Sequence, residues 1–252
     1  MKLEGAGSGT SGRRSASTGS RGSTVRAKRG ASGVHIPGTI VAAAERGAQV
    51  QTGRVPLLST DLRGAEKRGT ESNLVVFLVD ASGSMAARDR LSAVTGAVTS
   101  LLRDAYQKRD KVAVVAFRGA EADIVLPPTK SVDIAVKRLE NLTTGGRTPL
   151  AEGLASVEEI LARESRREPE RRAMLVVLSD GRATGKNGRL RARTVADSIR
   201  RKKLAGSIVI DCESGRVKLG LAGELATSLG GTLVSLGSLD ADSVAGVVRA
   251  GI

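Results

Sequence analysis

The chain has 252 residues, of which 40% are apolar, but it has only three aromatic side chains: Phe77, Tyr106 and Phe117. Its core must therefore consist of Val, Leu, Ile and Ala, which favours a buried parallel sheet flanked by helices. Cys212 is the only cysteine, and this excludes an intramolecular disulfide. No apolar stretch approaches the roughly 18 residues of a membrane span. The first residues also lack the apolar region of a signal peptide, so we expect a cytoplasmic protein.

The positive charge is unevenly distributed along the chain. The net charge is +14, and residues 1–70 contribute +8 of it, with 12 Lys and Arg against 4 Asp and Glu. Residues 1–33 are rich in Gly, Ser and Arg and almost lack aliphatic side chains, so we expect a disordered basic tail. Such a tail is either a solvated linker or a surface for nucleic acid or an acidic partner. Because it has no aromatic side chains to stack on bases, nucleic acid is the less favoured partner.

The next segment, residues 34–72, is expected to be a linker with little regular structure. A short helix near 40–44 and a strand or loop over 53–70 are the elements that its few apolar residues suggest. The pattern changes at residues 74–79, a continuous apolar run that predicts a strand buried on both faces. An apolar stripe then predicts a helix over 88–108.

The remainder of the chain alternates predicted strands with predicted helices. The further strands are expected at 111–117, 122–126, 174–179, 207–211 and 232–236. The further helices are expected at 131–141, 149–165, 188–203 and 219–229, with a last one from 240. This alternation predicts an α/β fold over 73–252: a doubly wound, Rossmann-like, mostly parallel sheet of about six strands with helices on both faces. Ligands of such sheets bind at the carboxyl ends of the strands.

Oxygen-bearing side chains lie at the ends of three of these predicted elements. Asp80, Ser82 and Ser84 lie in a tight turn after the first buried strand, Thr148 precedes a helix, and Asp180 follows another strand. One edge of the sheet would bring these five side chains together as a site for a hard cation, Mg²⁺ or alternatively Mn²⁺. Each part also has a structural interpretation: an Asx or Ser turn at Asp80, a helix N-cap at Thr148 and an ordinary turn at Asp180.

The pattern Asp80-x-Ser82-x-Ser84, with Thr148 and Asp180 in later loops, resembles the metal-ion-dependent adhesion site of the von Willebrand factor A, or integrin I-like, family. The resemblance extends over about residues 73–252. It implies that the serines and the threonine bind the ion, and that the aspartates act directly or through water. It also implies that one coordination position stays open for an acidic residue of a partner protein.

Further runs are similar to the C-terminal part of the D-subunit family of magnesium chelatase and to the related cobalt-chelatase subunits. They are residues 77–85 (FLVDASGSM), 111–119 (KVAVVAFRG), 126–129 (LPPT) and 145–150 (GGRTPL). The resemblance implies two partners, a AAA+ ATPase subunit and a large porphyrin-binding chelatase subunit. A phosphate-binding G-x-x-x-x-G-K-[ST] loop is missing, so the AAA+-like module of that family is not expected here. A fragment, a shortened gene product and a stand-alone adaptor remain alternatives.

The expected function is therefore that of a Mg²⁺-dependent interaction module that is not itself catalytic. It would act as a subunit or adaptor of an ATP-dependent magnesium or cobalt chelatase in tetrapyrrole biosynthesis. The alternatives are a binding protein of the same fold that works with a MoxR-like AAA+ ATPase, and a basic protein associated with nucleic acid. His35, the only histidine, and Cys212 are not expected to form a catalytic or zinc site.

Overall fold

The computed structural model of the chain describes residues 17–19, 23–31, 33–50, 53–69, 73–83, 86–105, 110–139, 144–169, 171–213, 219–235 and 240–251. The described residues divide into two compact units, 17–69 and 73–251. Of the helices in these ranges, none is both long and apolar enough to cross a bilayer.

The first unit contains a small antiparallel sheet and one helix. Its strands are β1 (Ser17–Gly19), β2 (Ser23–Lys28) and β3 (Gly64–Gly69), in the spatial order β1-β3-β2. Helix α1 (Ile36–Glu45) begins where the His35 Nδ1 accepts a hydrogen bond from the Gly38 N–H at 2.9 Å. The structure thus places β1 and β2 within residues 1–33, where the sequence predicted a disordered tail. In the predicted linker, α1 includes the short helix expected near 40–44, and β3 lies in the segment 53–70 where a strand or loop was expected.

Order in this unit comes from contacts between residues that are distant in sequence. Strand β2 pairs with β3 across about 40 residues. Arg46, directly after α1, binds the buried Asp61 carboxylate through two nitrogens, at 2.9 and 2.8 Å. The hydrogen bonds from Arg46, together with the Leu58 backbone N–H at 2.8 Å, hold the pKa of Asp61 below its ordinary value. Short polar strands and one ion pair leave no apolar run, so the sequence pattern did not reveal them.

The second unit is built on a six-stranded sheet with the order β6-β5-β4-β7-β8-β9. Its strands are β4 (Asn73–Asp80), β5 (Lys111–Arg118), β6 (Glu121–Thr129), β7 (Arg172–Ser179), β8 (Gly206–Asp211) and β9 (Thr232–Ser235). All neighbouring strands are parallel except β6, which runs antiparallel to β5. The predicted mostly parallel α/β sheet is confirmed.

Helices cover both faces of this sheet. They are α2 (Ala86–Ala105), α3 (Val132–Leu139), α4 (Leu150–Arg167), α5 (Gly188–Arg201), α6 (Leu221–Leu229) and α7 (Ala241–Gly251). Alternate residues of β4 point to opposite faces: Val75 and Phe77 pack in the core shared with α2 and α7, whereas Val76 and Leu78 pack in the core shared with α4, α5 and α6. Since both faces are buried, the strand reads as an uninterrupted apolar run.

Strand β6 differs most from the sequence prediction of a strand over 122–126. It continues through Pro127 and Pro128 to Thr129. Proline has no N–H to donate to a neighbouring strand, but β6 lies at the edge of the sheet, where one side needs no partner. The two prolines therefore lie within the strand and do not end it.

Successive strands are added first on one side of β4 and then on its other side. The chain passes from β4 to β5 and β6 on one side, and then returns to add β7, β8 and β9 on the other side. Strand β4 thus lies between β5 and β7, and the loops that leave β4 and β7 diverge at their carboxyl ends. Ligands of open α/β sheets bind in the crevice that this divergence opens.

At the amino ends of the central strands, opposite the crevice, an ion-pair network joins the sheet to α4. The Lys111 Nζ, at the start of β5, lies 2.8 Å from the buried Glu164 Oε2 and 3.2 Å from the Glu168 Oε2 of the α4 end. Arg171 binds Glu168 and donates to the Asn73 carbonyl at 3.2 Å. The network joins the starts of β4, β5 and β7 to the end of α4.

Removing the cation at the centre of this network should destabilise the fold. We expect Lys111→Met to lower the free energy of unfolding by about 2–3 kcal/mol, because it leaves the buried Glu164 without its nearest cation. Urea unfolding followed by circular dichroism measures the change. The control is Lys202→Met, which removes a more exposed ion pair with Glu158 and should cost under about 1 kcal/mol. Equal losses in the two variants would contradict the structural role of Lys111.

The same network predicts a dependence of stability on pH. Burial acts to raise the pKa of Glu168, but the hydrogen bonds and charges of Arg171 and Lys111 outweigh it and hold the pKa below the ordinary value of 4.5. A lowered pKa in the folded state means stabilisation that is complete above pH 4.5 and is lost as the pH falls further. Glu168→Gln should reduce the acid sensitivity of unfolding between about pH 3 and 5, whereas Glu159→Gln, an exposed change on the same helix, should not. Identical acid unfolding of wild type and Glu168→Gln would rule this contribution out.

Candidate metal centre

Asp80 is the last residue of β4, and its carboxylate is buried, with 2% of the residue exposed. One oxygen, Oδ1, accepts the Ser82 backbone N–H at 2.9 Å, which closes a tight turn. The other, Oδ2, accepts the Ser179 hydroxyl at 3.4 Å. Ser179 is the last residue of β7, so this hydrogen bond joins the ends of the two strands that flank the crevice. The carboxylate is fixed in orientation before any ligand arrives.

The loop after β4 is fastened to the loop that carries Thr148. The Gly83 N–H donates to the Gly146 carbonyl at 3.2 Å, and the Gly145 N–H donates to the Ala81 carbonyl at 2.9 Å. Ser82 and Thr148 are both buried. These two backbone hydrogen bonds bring the Asp80–Ser82 turn and the Thr148 loop together.

Thr148 is held in place by two hydrogen bonds between its backbone and Thr184. Its N–H donates to the Thr184 hydroxyl at 3.0 Å, and its carbonyl accepts the Thr184 N–H at 2.9 Å. The carbonyl of Arg147 accepts the Gly119 N–H at 3.0 Å. The N-cap of α4 is Pro149, so the interpretation of Thr148 as the cap of that helix does not apply. The Thr148 hydroxyl is therefore not the cap of α4 and remains a candidate ligand.

Asp180 follows β7 directly and is only partly buried. Its Oδ1 accepts the Arg182 backbone N–H at 3.0 Å, and its Oδ2 lies 3.4 Å from the Arg182 Nε. The Thr184–Thr148 hydrogen bonds fasten this loop to the Thr148 loop. Ser84, the fifth predicted residue, lies outside the described residues. The structure therefore brings together the loops of the other four.

Sequence reasoning missed the residues that hold these loops in place. Ser179 and Thr184 carry no periodic or motif signal, because each acts through a hydrogen bond to a residue about 36 or more positions away. The sequence also indicated only an ordinary turn at Asp180 and Gly181, and gave no sign that Gly181 itself is required. Its φ is +78°, and a Cβ at this position would lie 2.4–2.7 Å from backbone atoms of Leu221 and Ala222. Only glycine permits the Asp180 loop to lie so close to the start of α6.

The donor set fits a small hard cation. The four described candidates offer two carboxylates and two hydroxyls, all oxygen ligands, which suit Mg²⁺ or Mn²⁺. Within the described ranges, no group of three or more His, Cys, Asp or Glu side chains could hold a metal ion. Zinc and soft metals, which prefer nitrogen and sulfur ligands, therefore fit this edge less well.

Comparison with known proteins identifies the fold family. The model for the von Willebrand factor type A domain matches residues 75–182, which contain Asp80, Ser82, Thr148 and Asp180. Residues 75–182 belong to the von Willebrand factor type A domain family. The predicted resemblance is thereby confirmed, and the match begins in β4 and ends in the loop after β7.

Two relatives are similar to this chain over more than the residues that the family model matches. An uncharacterised protein of Mycobacterium tuberculosis is 47% identical over 254 residues, covering 99% of this chain and 40% of its own length. The magnesium-chelatase 67 kDa subunit of Chlorobaculum parvum is 35% identical over 210 residues, covering 77% of this chain and 33% of its own length. The chain thus spans two fifths or less of these relatives.

Solved structures support the same fold. The conserved hypothetical protein BatB of Bacteroides thetaiotaomicron superposes with a TM-score of 0.54 at 18% identity, covering 71% of this chain and 96% of BatB. The manganese-loaded TRAP protein of Plasmodium vivax gives a TM-score of 0.51 at 17% identity, covering 71% of this chain and 72% of TRAP. At such identities the likeness concerns the fold alone.

The close contact at Gly181 yields a prediction for the von Willebrand factor A domain. Gly181→Ala should lower the free energy of unfolding by about 2–4 kcal/mol, because a methyl group there must displace the Asp180 loop from α6 and must also tolerate a positive φ. Gly185→Ala, in the same loop at φ +97° but with open space around the added methyl, isolates the backbone term and should cost about 1 kcal/mol. Urea unfolding of both variants measures the difference, and equal costs would show that the contact with α6 contributes nothing.

Proposed function

We propose that this chain is a metal-dependent protein-binding module in which Asp80, Ser82, Ser84, Thr148 and Asp180 hold Mg²⁺, or alternatively Mn²⁺. The observation that carries the proposal is the joining of three loops at the crevice between β4 and β7. Buried Asp80 and Ser82 lie in one loop, buried Thr148 in the second and Asp180 in the third. Hydrogen bonds fix the Asp80 carboxylate and the backbones of the loops, so less ordering cost remains for ion binding.

The chain's own residues have distinct tasks in this mechanism. Asp80 is oriented by Ser82 and Ser179 and supplies the buried negative charge. Ser82, Ser84 and Thr148 supply neutral oxygens, so the positive charge of the site is only partly compensated. When bound, the ion supplies a position that accepts a carboxylate of the partner protein.

Exposed arginines at the rim reinforce this preference for an acidic partner. Arg147 immediately precedes Thr148 and is exposed. Arg182 is exposed and pairs with Asp180 at 3.4 Å, and surface pairs of this kind are weak enough to rearrange. The two side chains would steer a carboxylate toward the crevice.

We further propose that the module acts as a subunit or adaptor of an ATP-dependent magnesium or cobalt chelatase. The relationship to the magnesium-chelatase 67 kDa subunit over 77% of this chain supports this assignment. The proposed partners are a AAA+ ATPase subunit, which would supply the carboxylate, and a large porphyrin-binding subunit. In this role the module holds a partner and carries out no chemistry of its own.

The test is capture of a AAA+ magnesium-chelatase subunit by the full chain with Mg²⁺ or with EDTA. Asp80→Asn should weaken Mg²⁺-dependent capture at least about tenfold, because it removes the buried charge that holds the ion. An asparagine at this position still has an oxygen to accept the Ser82 N–H, so the turn should survive. Isothermal titration with Mg²⁺ alone should show the same loss.

The matched control is Asp133→Asn. Asp133 is exposed at the start of α3, which follows the end of β6 beside Val112 and so lies at the opposite edge of the sheet. This variant should capture the partner as the wild type does. Capture that is indifferent to EDTA and to Asp80→Asn would refute the metal bridge.

A further inference from the structure

A cavity of about 460 Å³ opens beside the candidate metal centre, between α5 and α6. Apolar side chains, among them Leu150, Leu221 and Leu225, form part of its lining, and Leu190 at its margin is 64% exposed. Leu190 and the apolar part of the lining are contiguous, so together they form one exposed apolar surface, the kind that marks an interaction site when it is rimmed by polar residues. The volume suits one or two side chains of a bound segment and is at the lower end for small-molecule sites.

The cavity and the candidate metal centre share two loops. Gly181, which lines the cavity, directly follows Asp180, and Leu150, which also lines it, follows Thr148 by two residues. The wall on the α6 side is formed where Gly181 lies against Leu221. Each of these two loops therefore carries both a candidate ligand of the ion and a residue that lines the cavity.

The rim of the cavity is positively charged. Helix α5 carries five arginines against the single Asp197: Arg189, Arg191, Arg193, Arg200 and Arg201. Two of them, Arg189 and Arg193, line the cavity. Arg189 forms an exposed ion pair with Glu224 at 2.8 Å, and Arg193, 74% exposed in its side chain, lies 3.9 Å from Asp197. Such exposed pairs contribute little and exchange readily for an incoming carboxylate.

We propose that this cavity receives an aliphatic side chain from an acidic segment of the partner protein, the same segment whose carboxylate reaches the ion. Arg189 and Arg193 bind a second acidic residue of that segment. The inference rests on the proposed function and deepens it, since it defines the recognised element as an acidic segment with an aliphatic anchor. The apolar lining explains the anchor, and the basic rim explains the acidic neighbour.

The test uses the full chain and a library of short labelled peptides that share one fixed Glu between randomised flanks. Peptides are bound in Mg²⁺ and released with EDTA. The expected result is enrichment of an aliphatic residue and a second Asp or Glu at set distances from the fixed Glu. The enriched peptides then serve as probes for variants of the cavity.

Two variants act on the two parts of the cavity. Thr227→Trp, on α6, fills the cavity and should weaken Mg²⁺-dependent peptide binding about tenfold, because the aliphatic anchor loses its buried site. Arg193→Glu reverses charge at the rim and should also weaken it about tenfold. Arg201→Glu is the control, because it makes the same charge change on α5 at an exposed residue that does not line the cavity. Arg193→Glu and Arg201→Glu should bind Mg²⁺ alone as the wild type does.

The outcomes separate this inference from the proposed function. Mg²⁺-dependent peptides without aliphatic enrichment, or binding unchanged by Thr227→Trp and Arg193→Glu, would overturn the cavity proposal and leave the metal bridge intact. Equal losses in Arg193→Glu and Arg201→Glu would reduce the rim to a general charge effect and overturn it as well. A library that yields no EDTA-released peptide, or peptides that bind Asp80→Asn equally well, would overturn both.

Discussion

The parallel pairing of β4 with β7 is the constraint on which the rest of the molecule depends. The two strands are adjacent in the sheet, yet about 90 residues separate them, because β5, β6, α3 and α4 are inserted on the other side. Their carboxyl ends therefore release two loops in divergent directions and leave a crevice between them. The hydrogen bond from Ser179 to Asp80 spans that crevice at its base. The four candidate ligands among the described residues lie in loops joined to this pair of strand ends.

Stability and binding are separated along the strands. The middle of the sheet is apolar on both faces, and the starts of β4, β5 and β7 are fastened by Lys111, Glu164, Glu168 and Arg171. Most of the contacts that stabilise the sheet thus lie away from the carboxyl ends of the strands. This allows the carboxyl ends to carry buried hydroxyls and a buried carboxylate, which would be costly without the surrounding hydrogen bonds.

The sequence predicted the sheet well because its central strands are buried on both faces, so residues 74–79 and 174–179 read as uninterrupted apolar runs. It predicted four site residues that the structure places at one edge, since motif residues sit at strand ends. It did not predict β1 and β2 or their pairing with β3, because these strands are short and polar and owe their pairing to residues far apart in sequence. Nor did it predict the fastening of the loops, because backbone N–H and C=O groups such as those of Gly83 and Gly146 leave no trace in side-chain chemistry.

The close contact of Gly181 with the start of α6 has a consequence for binding. The Asp180 loop forms one side of the candidate metal centre, and the same loop, through Gly181, forms a wall of the cavity with Leu221. With less than a methyl group of space between them, a shift of the loop toward α6 must displace the start of that helix. An ion that fixes Asp180 therefore also fixes the shape of the cavity. By thermodynamic linkage, an occupant of the cavity that prefers this shape must strengthen ion binding by the same factor. Under the proposed function, recognition of the acidic segment and retention of the metal would be one coupled equilibrium.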